Sequence, residues 1–193
     1  MKMKRHFIYN LKEYAIQNNV PVINDDGLNF LLDLIKTHNI KTVLEIGTAI
    51  GYSAINMANL GCKIITVERD YFMYEQAIKN IKEANLLNNI QVIHGDALTI
   101  DVAEKVDMIF IDAAKAQYQK FFEKFEGNLN QGGIIVCDNL NFHNLDPNKV
   151  SRGTRQLLKK INQFKLFLES NTDYETSIYT VGDGISVSKR RSK

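Results

Sequence analysis

Five short runs rich in β-branched residues alternate with stretches of helical spacing, and few architectures accept that order. The runs are 40–46, 63–68, 90–94, 106–111 and 133–137. Each is apolar enough to be a strand buried on both faces. Helical patterns fill 52–60, 71–87, a short piece at 98–105, and 117–129, and another follows the last run at 150–168, where Leu157, Leu158, Ile161, Phe164 and Leu168 share a face. Such alternation builds right-handed βαβ crossovers around a parallel sheet with helices on both sides, an α/β fold. The end departs from it. Residues 174–180 and 185–189 are strand-like and flank Val181-Gly182-Asp183-Gly184, which predicts a C-terminal antiparallel hairpin closing the sheet. Ahead of the first strand, Phe7, Ile8, Leu11, Tyr14 and Ala15, then Leu28, Leu31, Leu32 and Ile35, recur at helical spacing. No Pro/Gly/Ser-rich linker divides the 193 residues. The expectation is one domain, 1–193, with N-terminal helices over 1–38 and the α/β core over 39–193.

The first strand runs into Glu45-Ile46-Gly47-Thr48-Ala49-Ile50-Gly51-Tyr52-Ser53, and the second ends at Glu68. A glycine-rich loop at that junction lets a ligand approach the backbone. A dinucleotide loop needs glycine where this one has Ala49, so that a pyrophosphate can come close. Glu45 at the strand exit would repel phosphates but suit a cationic amino-acid end. Glu68 stands near the offset of a ribose-binding acid. Gly95-Asp96-Ala97 falls where an adenine ring would lie. Ribose without pyrophosphate, plus a positive amino-acid end, describes S-adenosylmethionine better than NAD.

Strand four ends in Asp112-Ala113-Ala114-Lys115 and strand five in Asp138-Asn139. In a sheet ordered 3-2-1-4-5 these exits lie beside that of strand one, at the switch point where ligands bind. Two carboxylates and an amide are hard oxygen donors suited to Mg²⁺. Any single Asp at a strand exit is more often a helix cap; an Asp-Asn pair one strand from Asp-x-x-Lys is harder to dismiss. Lys115 would sit near that cation, whose charge would lower its ammonium pKa and suit it as a general base. An ordinary exposed lysine at a helix start is the equal alternative.

Glu45-x-Gly47-x-x-x-Gly51-Tyr52-Ser53, Glu68, Asp112-x-x-Lys115 and Asp138-Asn139 together resemble the cation-dependent class I O-methyltransferases, which include catechol and caffeoyl-CoA O-methyltransferases. The resemblance spans nearly the whole chain. Phe110-Ile111-Asp112-Ala113-Ala114-Lys115-x-Gln117-Tyr118, followed by Phe121-Phe122, is similar to a bacterial branch that methylates 5-hydroxyuridine at the tRNA wobble position. The resemblance implies a Rossmann-like fold, with S-adenosylmethionine held by Val22, Glu45, Gly47, Ser53, Glu68, Asp96, Ala97 and Asp112. It implies Mg²⁺ or another hard cation on Asp112, Asp138 and Asn139, and a homodimer. Catechol-type members commonly wall the substrate with tryptophan, and this chain has none.

For a tRNA anticodon stem-loop as partner, basic residues gather at Lys2, Lys4 and Arg5, at Arg152, Arg155, Lys159 and Lys160, and at Lys189, Arg190, Arg191 and Lys193. Each cluster alone reads equally well as a solvated surface, and the net charge of +2 is no mark of a dedicated nucleic-acid binder. Tyr118, Phe121 and Phe122 have core spacing; Phe142 is a further aromatic candidate. A small catechol-like or phenolic acceptor is the alternative substrate. A nicotinamide oxidoreductase would want glycine at Ala49, and a non-catalytic nucleotide- or RNA-binding module would not need the Asp112/Asp138/Asn139 set. Neither a signal peptide nor a membrane span is evident, and Cys62 and Cys137 have no paired spacing, so a cytoplasmic location without membrane partners is expected.

Overall fold

The computed structural model of the chain describes residues 2–141 and 149–191, with side chains from residue 6 onward. Two helices, α1 (Lys2–Gln17) and α2 (Asp25–Thr37), precede β1 (Thr42–Ile46), α3 (Tyr52–Ala58), β2 (Lys63–Glu68), α4 (Tyr71–Glu83), β3 (Ile90–His94) and β4 (Val106–Ile111). After a short 3-10 turn come α5 (Tyr118–Phe125), β5 (Leu129–Cys137), α6 (Arg152–Ser170), β6 (Tyr174–Tyr179) and β7 (Ile185–Arg190). The sheet order is β3-β2-β1-β4-β5-β7-β6, parallel through β5, with β7 antiparallel to β5 and β6. Phe142 lies outside the described residues. Among the described residues no helix is long and apolar enough to cross a membrane.

Because successive strand side chains point to opposite faces, an unbroken apolar run feeds two cores at once. Val43, Met108, Phe110, Ile134 and Val136 meet α1–α4 on one face. Leu44, Ile46, Ile109, Ile111 and Ile135 meet α5 and α6 on the other, where Tyr118, Phe122, Phe164 and Tyr174 pack edge to face. The aromatics of α5 are therefore core, as their spacing predicts.

Three local expectations change. β3 forms one edge of the sheet and is partly open to solvent, so it is not buried on both faces. Residues 98–105 form no helix. Asp96 caps a single turn, accepting from Leu98 N through Oδ1 at 2.9 Å. Side chains then take the carbonyls a helix would need: Lys124 Nζ donates to Ile100 O, and Asn128 Nδ2 to Val102 O and Glu104 O. β5 begins at Leu129, earlier than its apolar run, through a register shift between Val106 and Met108.

The exits of β1 and β4 touch. Gly47 has φ +101°, and a Cβ there would lie 2.1 Å from the Asp112 carbonyl oxygen. Gly61 has a similar φ of +94° but open space around it. In Gly61→Ala only the left-handed backbone is penalised, about 1–2 kcal/mol. Gly47→Ala adds a backbone collision and is expected to cost at least about twice that; equal losses in denaturant unfolding would show that the two strand exits yield freely.

Candidate functional site

The carboxyl ends of β1, β2, β3 and β4 enclose a cavity of about 400 Å³, walled on its outer side by Pro21, Val22 and Ile23 from the link between α1 and α2. Its lining includes Gly47, Ser53, Glu68, Asp96, Ala97 and Asp112, and, toward α5, Lys115, Gln117 and Asn139. Of the eight residues expected around a cofactor, seven (Val22 with the first six of these) thus face one space.

The eighth, Glu45, does not. Its side chain is fully buried behind the cavity wall, a different placement from the direct ligand contact expected. Parallel register sets Thr66 of β2 beside it. Thr66 Oγ1 donates to Oε2 and Ser53 Oγ to Oε1, both at 2.5 Å. Since the Thr66 proton is thereby used, Thr48, 2.6 Å away, donates to Thr66. Burial pushes the Glu45 carboxyl up to about 8, against the pull of the Ser53 and Thr66 hydroxyls; the charges of Asp112 and Glu68 add to the rise. When Glu45 is ionised, Ser53 spends its proton inward and turns lone pairs to the cavity, where an ammonium group would find them. A ligand that reached Ser53 would therefore feel Glu45 through that hydroxyl.

Glu68 is locked by backbone donors. Ala49 N reaches Oε2 and Asp70 N reaches Oε1, each at 2.8 Å. A carboxylate offers about four acceptor sites, so two remain for a diol. Ala49 takes φ +45° despite its side chain, a strained conformation that aims its N–H at Glu68.

At the β4 and β5 exits, Asn139 Nδ2 donates to Asp112 Oδ1 at 3.2 Å, and Asn139 N to Asp138 Oδ1 at 2.7 Å. Asn139 reaches this place through a left-handed backbone, φ +64°. Asp138 is almost wholly buried and lies behind Asp112. Tyr118, buried at the start of α5, donates its hydroxyl to Asp138 O at 3.0 Å. Burial and then the neighbouring Asp112 push Asp138 up to about 7; burial raises Asp112 too, with the Lys115 charge opposing. Two carboxyls held close with raised affinity for protons are also groups that a cation would stabilise in their charged form. Among the described residues no group of three or more His, Cys, Asp or Glu side chains has metal-site geometry. Asp112, Asp138 and Asn139 supply only two carboxylates and an amide. The amide presents its N–H₂ to Asp112; half a turn about its last torsion would present Oδ1 instead. The donor chemistry fits a hard cation on that condition.

Two neighbours carried no motif. Asp183, in the hairpin turn, adds its negative charge to Asp112 and Asp138. It is tethered at 3.4 Å by Nδ2 of Asn24, whose Oδ1 caps α2 by accepting from Gly27 N. Their spacing in sequence gives no signal, because residues 159 positions apart meet only in the fold. Conversely, part of the basic tail is structural. Arg190 bonds Tyr174 Oη and the carbonyls of Leu129 and Glu126, and Arg191 the carbonyl of Tyr174, tying the sheet ends. Arg190 thus commits its whole guanidinium group to the fold, whereas the exposed Arg191 spends only its Nε. Lys193 lies outside the described residues, as do the side chains of Lys2, Lys4 and Arg5.

The raised Glu45 carboxyl fixes the sign of a pH effect. Between its ordinary value of 4.5 and about 8, the folded chain keeps the proton that the unfolded chain has lost. Stability from this group is therefore full at low pH and falls as pH rises to about 8. Asp138 contributes with the same sign up to about 7. In Glu45→Gln the decline in Tm between pH 5 and 8 is expected to be shallower than in the native chain. Parallel profiles would show that Glu45 is ionised throughout.

A family model described as O-methyltransferase matches residues 2–191. A Staphylococcus aureus protein regarded as a candidate caffeoyl-CoA O-methyltransferase superposes with a TM-score of 0.91 at 35% identity, covering 95% of this chain and 92% of its own. A catechol O-methyltransferase from Niastella koreensis is 33% identical, over 77% of this chain and 71% of that protein. An O-methyltransferase from Bacillus cereus, crystallised with SAH, shares the fold at a TM-score of 0.83 and 24% identity, covering 96% of this chain and 91% of its own. With the match running from the first helix to the end of the closing hairpin, the chain belongs to the O-methyltransferase family.

Proposed function

We propose that the chain transfers a methyl group from S-adenosylmethionine to the 5-hydroxyl of 5-hydroxyuridine at the tRNA wobble position, giving 5-methoxyuridine. The observation that carries the reading is a single cavity in which Glu68 and Ser53 stand at one end and Asp112, Asn139, Lys115 and Gln117 at the other. The first pair suits a ribose diol and an amino-acid ammonium, and the second group suits an acceptor with two adjacent oxygens. The B. cereus relative, whose crystals contain SAH, supports the cofactor. The Asp112-Ala113-Ala114-Lys115-x-Gln117-Tyr118 stretch and the lack of tryptophan support the nucleoside acceptor.

Glu68 would accept from the ribose hydroxyls while Ala49 N and Asp70 N keep its carboxylate from turning away. Ser53, oriented by Glu45, would hold the amino end. Asp112, Asp138 and Asn139 would hold a magnesium ion, whose Lewis acidity toward adjacent hydroxyl and carbonyl oxygens favours the ionised acceptor. Lys115, which lines the same cavity, would take the hydroxyl proton. The new O–CH₃ bond forms as the S–CH₃ bond breaks, and the cavity walls set the line of approach. In 5-hydroxyuridine the O5 hydroxyl and O4 carbonyl form the required pair, and a catechol offers a similar one. A small catechol is the second reading, favoured by the N. koreensis relative's name.

The test offers purified protein hydroxyuridine-containing tRNA and, separately, catechol, each with Mg²⁺ or with EDTA. Methylation of the tRNA, lost in EDTA and restored by Mg²⁺, is the expected result. Methylation of catechol alone would overturn the RNA acceptor, and full activity in EDTA would overturn the cation. Lys115→Gln is expected to lower kcat at least tenfold while leaving the Kd for S-adenosylmethionine nearly unchanged, as for a group acting in the transition state. Unaltered kcat from pH 6 to 9 would make Lys115 a bystander.

A further inference from the structure

Beyond the acceptor end of this cavity lies a second hollow of about 300 Å³, between the start of α5 and the middle of α6. Lys115 lines both spaces and forms the partition between them. The floor is the buried pair Tyr118 and Phe164, rings 5.6 Å apart and edge to face. Around the rim stand Lys120 and Lys160 with the amides of Gln119 and Gln163, against one acid, Glu123. Glu123 already accepts from Gln119 Nε2 at 2.8 Å. Among the described residues Lys120 and Lys160 make no hydrogen bond or ion pair, and both are exposed. The helix that supplies Lys160 runs on in the same sign: α6 carries Arg152, Arg155, Lys159, Lys160 and Lys165 before its first acid, Glu169.

We infer that this hollow is a phosphate subsite, taking a backbone phosphodiester of the RNA whose target base occupies the neighbouring cavity. The inference rests on the proposed RNA acceptor. Three features favour that ligand. Two ammonium groups without protein partners are point charges suited to phosphate. The volume would hold about ten waters, more than one phosphate group displaces. Most important is continuity: a nucleotide reaching past Lys115 is covalently followed by its own phosphates, and the next space along is the one with excess positive charge. The rigid aromatic floor holds the lysine-bearing helices at a fixed separation.

The probe is an anticodon stem-loop RNA carrying 5-hydroxyuridine, its Kd measured by fluorescence anisotropy across a salt series. Each phosphate neutralised on a single-stranded segment contributes about 0.7 to the slope of log K against log salt. For the double variant Lys120→Gln/Lys160→Gln, which removes both charges from that one phosphodiester, the slope is expected to fall by about 0.7. The matched control Lys79→Gln/Lys82→Gln, exposed on α4 with the same charge change, is expected to leave it unaltered. Thermal melting checks that both variants fold. An unchanged slope in the Lys120/Lys160 variant overturns the subsite, as does an equal fall in the control, which would reduce the effect to net charge. Loss of coenzyme A binding in the variant with RNA binding intact would assign the hollow to a different phosphate ligand and also overturn it. RNA that binds through these lysines but is not methylated would overturn the proposed acceptor and leave the subsite standing.

Discussion

Everything at the catalytic end hangs on how closely two neighbouring strands release their chains. At the β1 exit the backbone of Gly47 presses on the carbonyl of Asp112 at the β4 exit, with no room for even one carbon between them. Asp112 N also donates to Ile46 O at 2.9 Å, and Gly47 N to Val67 O at 3.0 Å, so the junction is laced to β2 as well. That contact sets the depth of the cavity floor. It brings the loop that leads to Ser53 and the segment that carries Lys115 to opposite sides of one space. A parallel sheet makes such a crevice wherever strand order reverses. Here the absent side chain decides how narrow it is.

The architecture was legible because the apolar runs are long and continuous, a pattern open only to strands with helices on both sides. What stayed hidden has a common cause. Residues 98–105 look helical when their own spacing is considered, but their carbonyls are claimed by Lys124 of α5 and by Asn128 in the 3-10 turn that follows it. β3 has the composition of an inner strand, and nothing local shows that the sheet stops there. That Glu68, Asp96, Asp112 and Asn139 line one cavity was legible because each stands at or within two residues of a strand end. That Glu45 lies buried against Ser53 and Thr66 was not legible, since sequence shows that a carboxylate is near an exit but not which face its side chain takes. Asp183 and Asn24 were missed because their meeting depends on hairpin and helix positions that no short-range pattern encodes.

Electrostatically the cavity is divided. Buried carboxyls sit behind both ends: Glu45 behind Ser53, and Asp138 behind Asp112 and Asn139. Each is held at a raised proton affinity by burial, so each gains when positive charge arrives in front of it. Positive charge arriving at either end would therefore be favoured, while Lys115 lines the same cavity. Ser53 and Asn139 stand on the cavity surface in front of the buried carboxyls, beside the carboxylates of Glu68, Asp96 and Asp112.

Asn24 has a wider implication. One of its side-chain atoms ends the turn that starts α2, and another holds the hairpin residue nearest the acidic pair. A Cβ on Gly182 would strike that same side chain at 2.7 Å, so the hairpin is fitted to it closely. The N-terminal helices are therefore not an exchangeable lid on a self-sufficient catalytic body. Grafting a relative's entry segment onto this core, a common route to altered selectivity, would carry away one of the fastenings of the corner that holds Asp112 and Asp138. Modularity in this chain ends at residue 24.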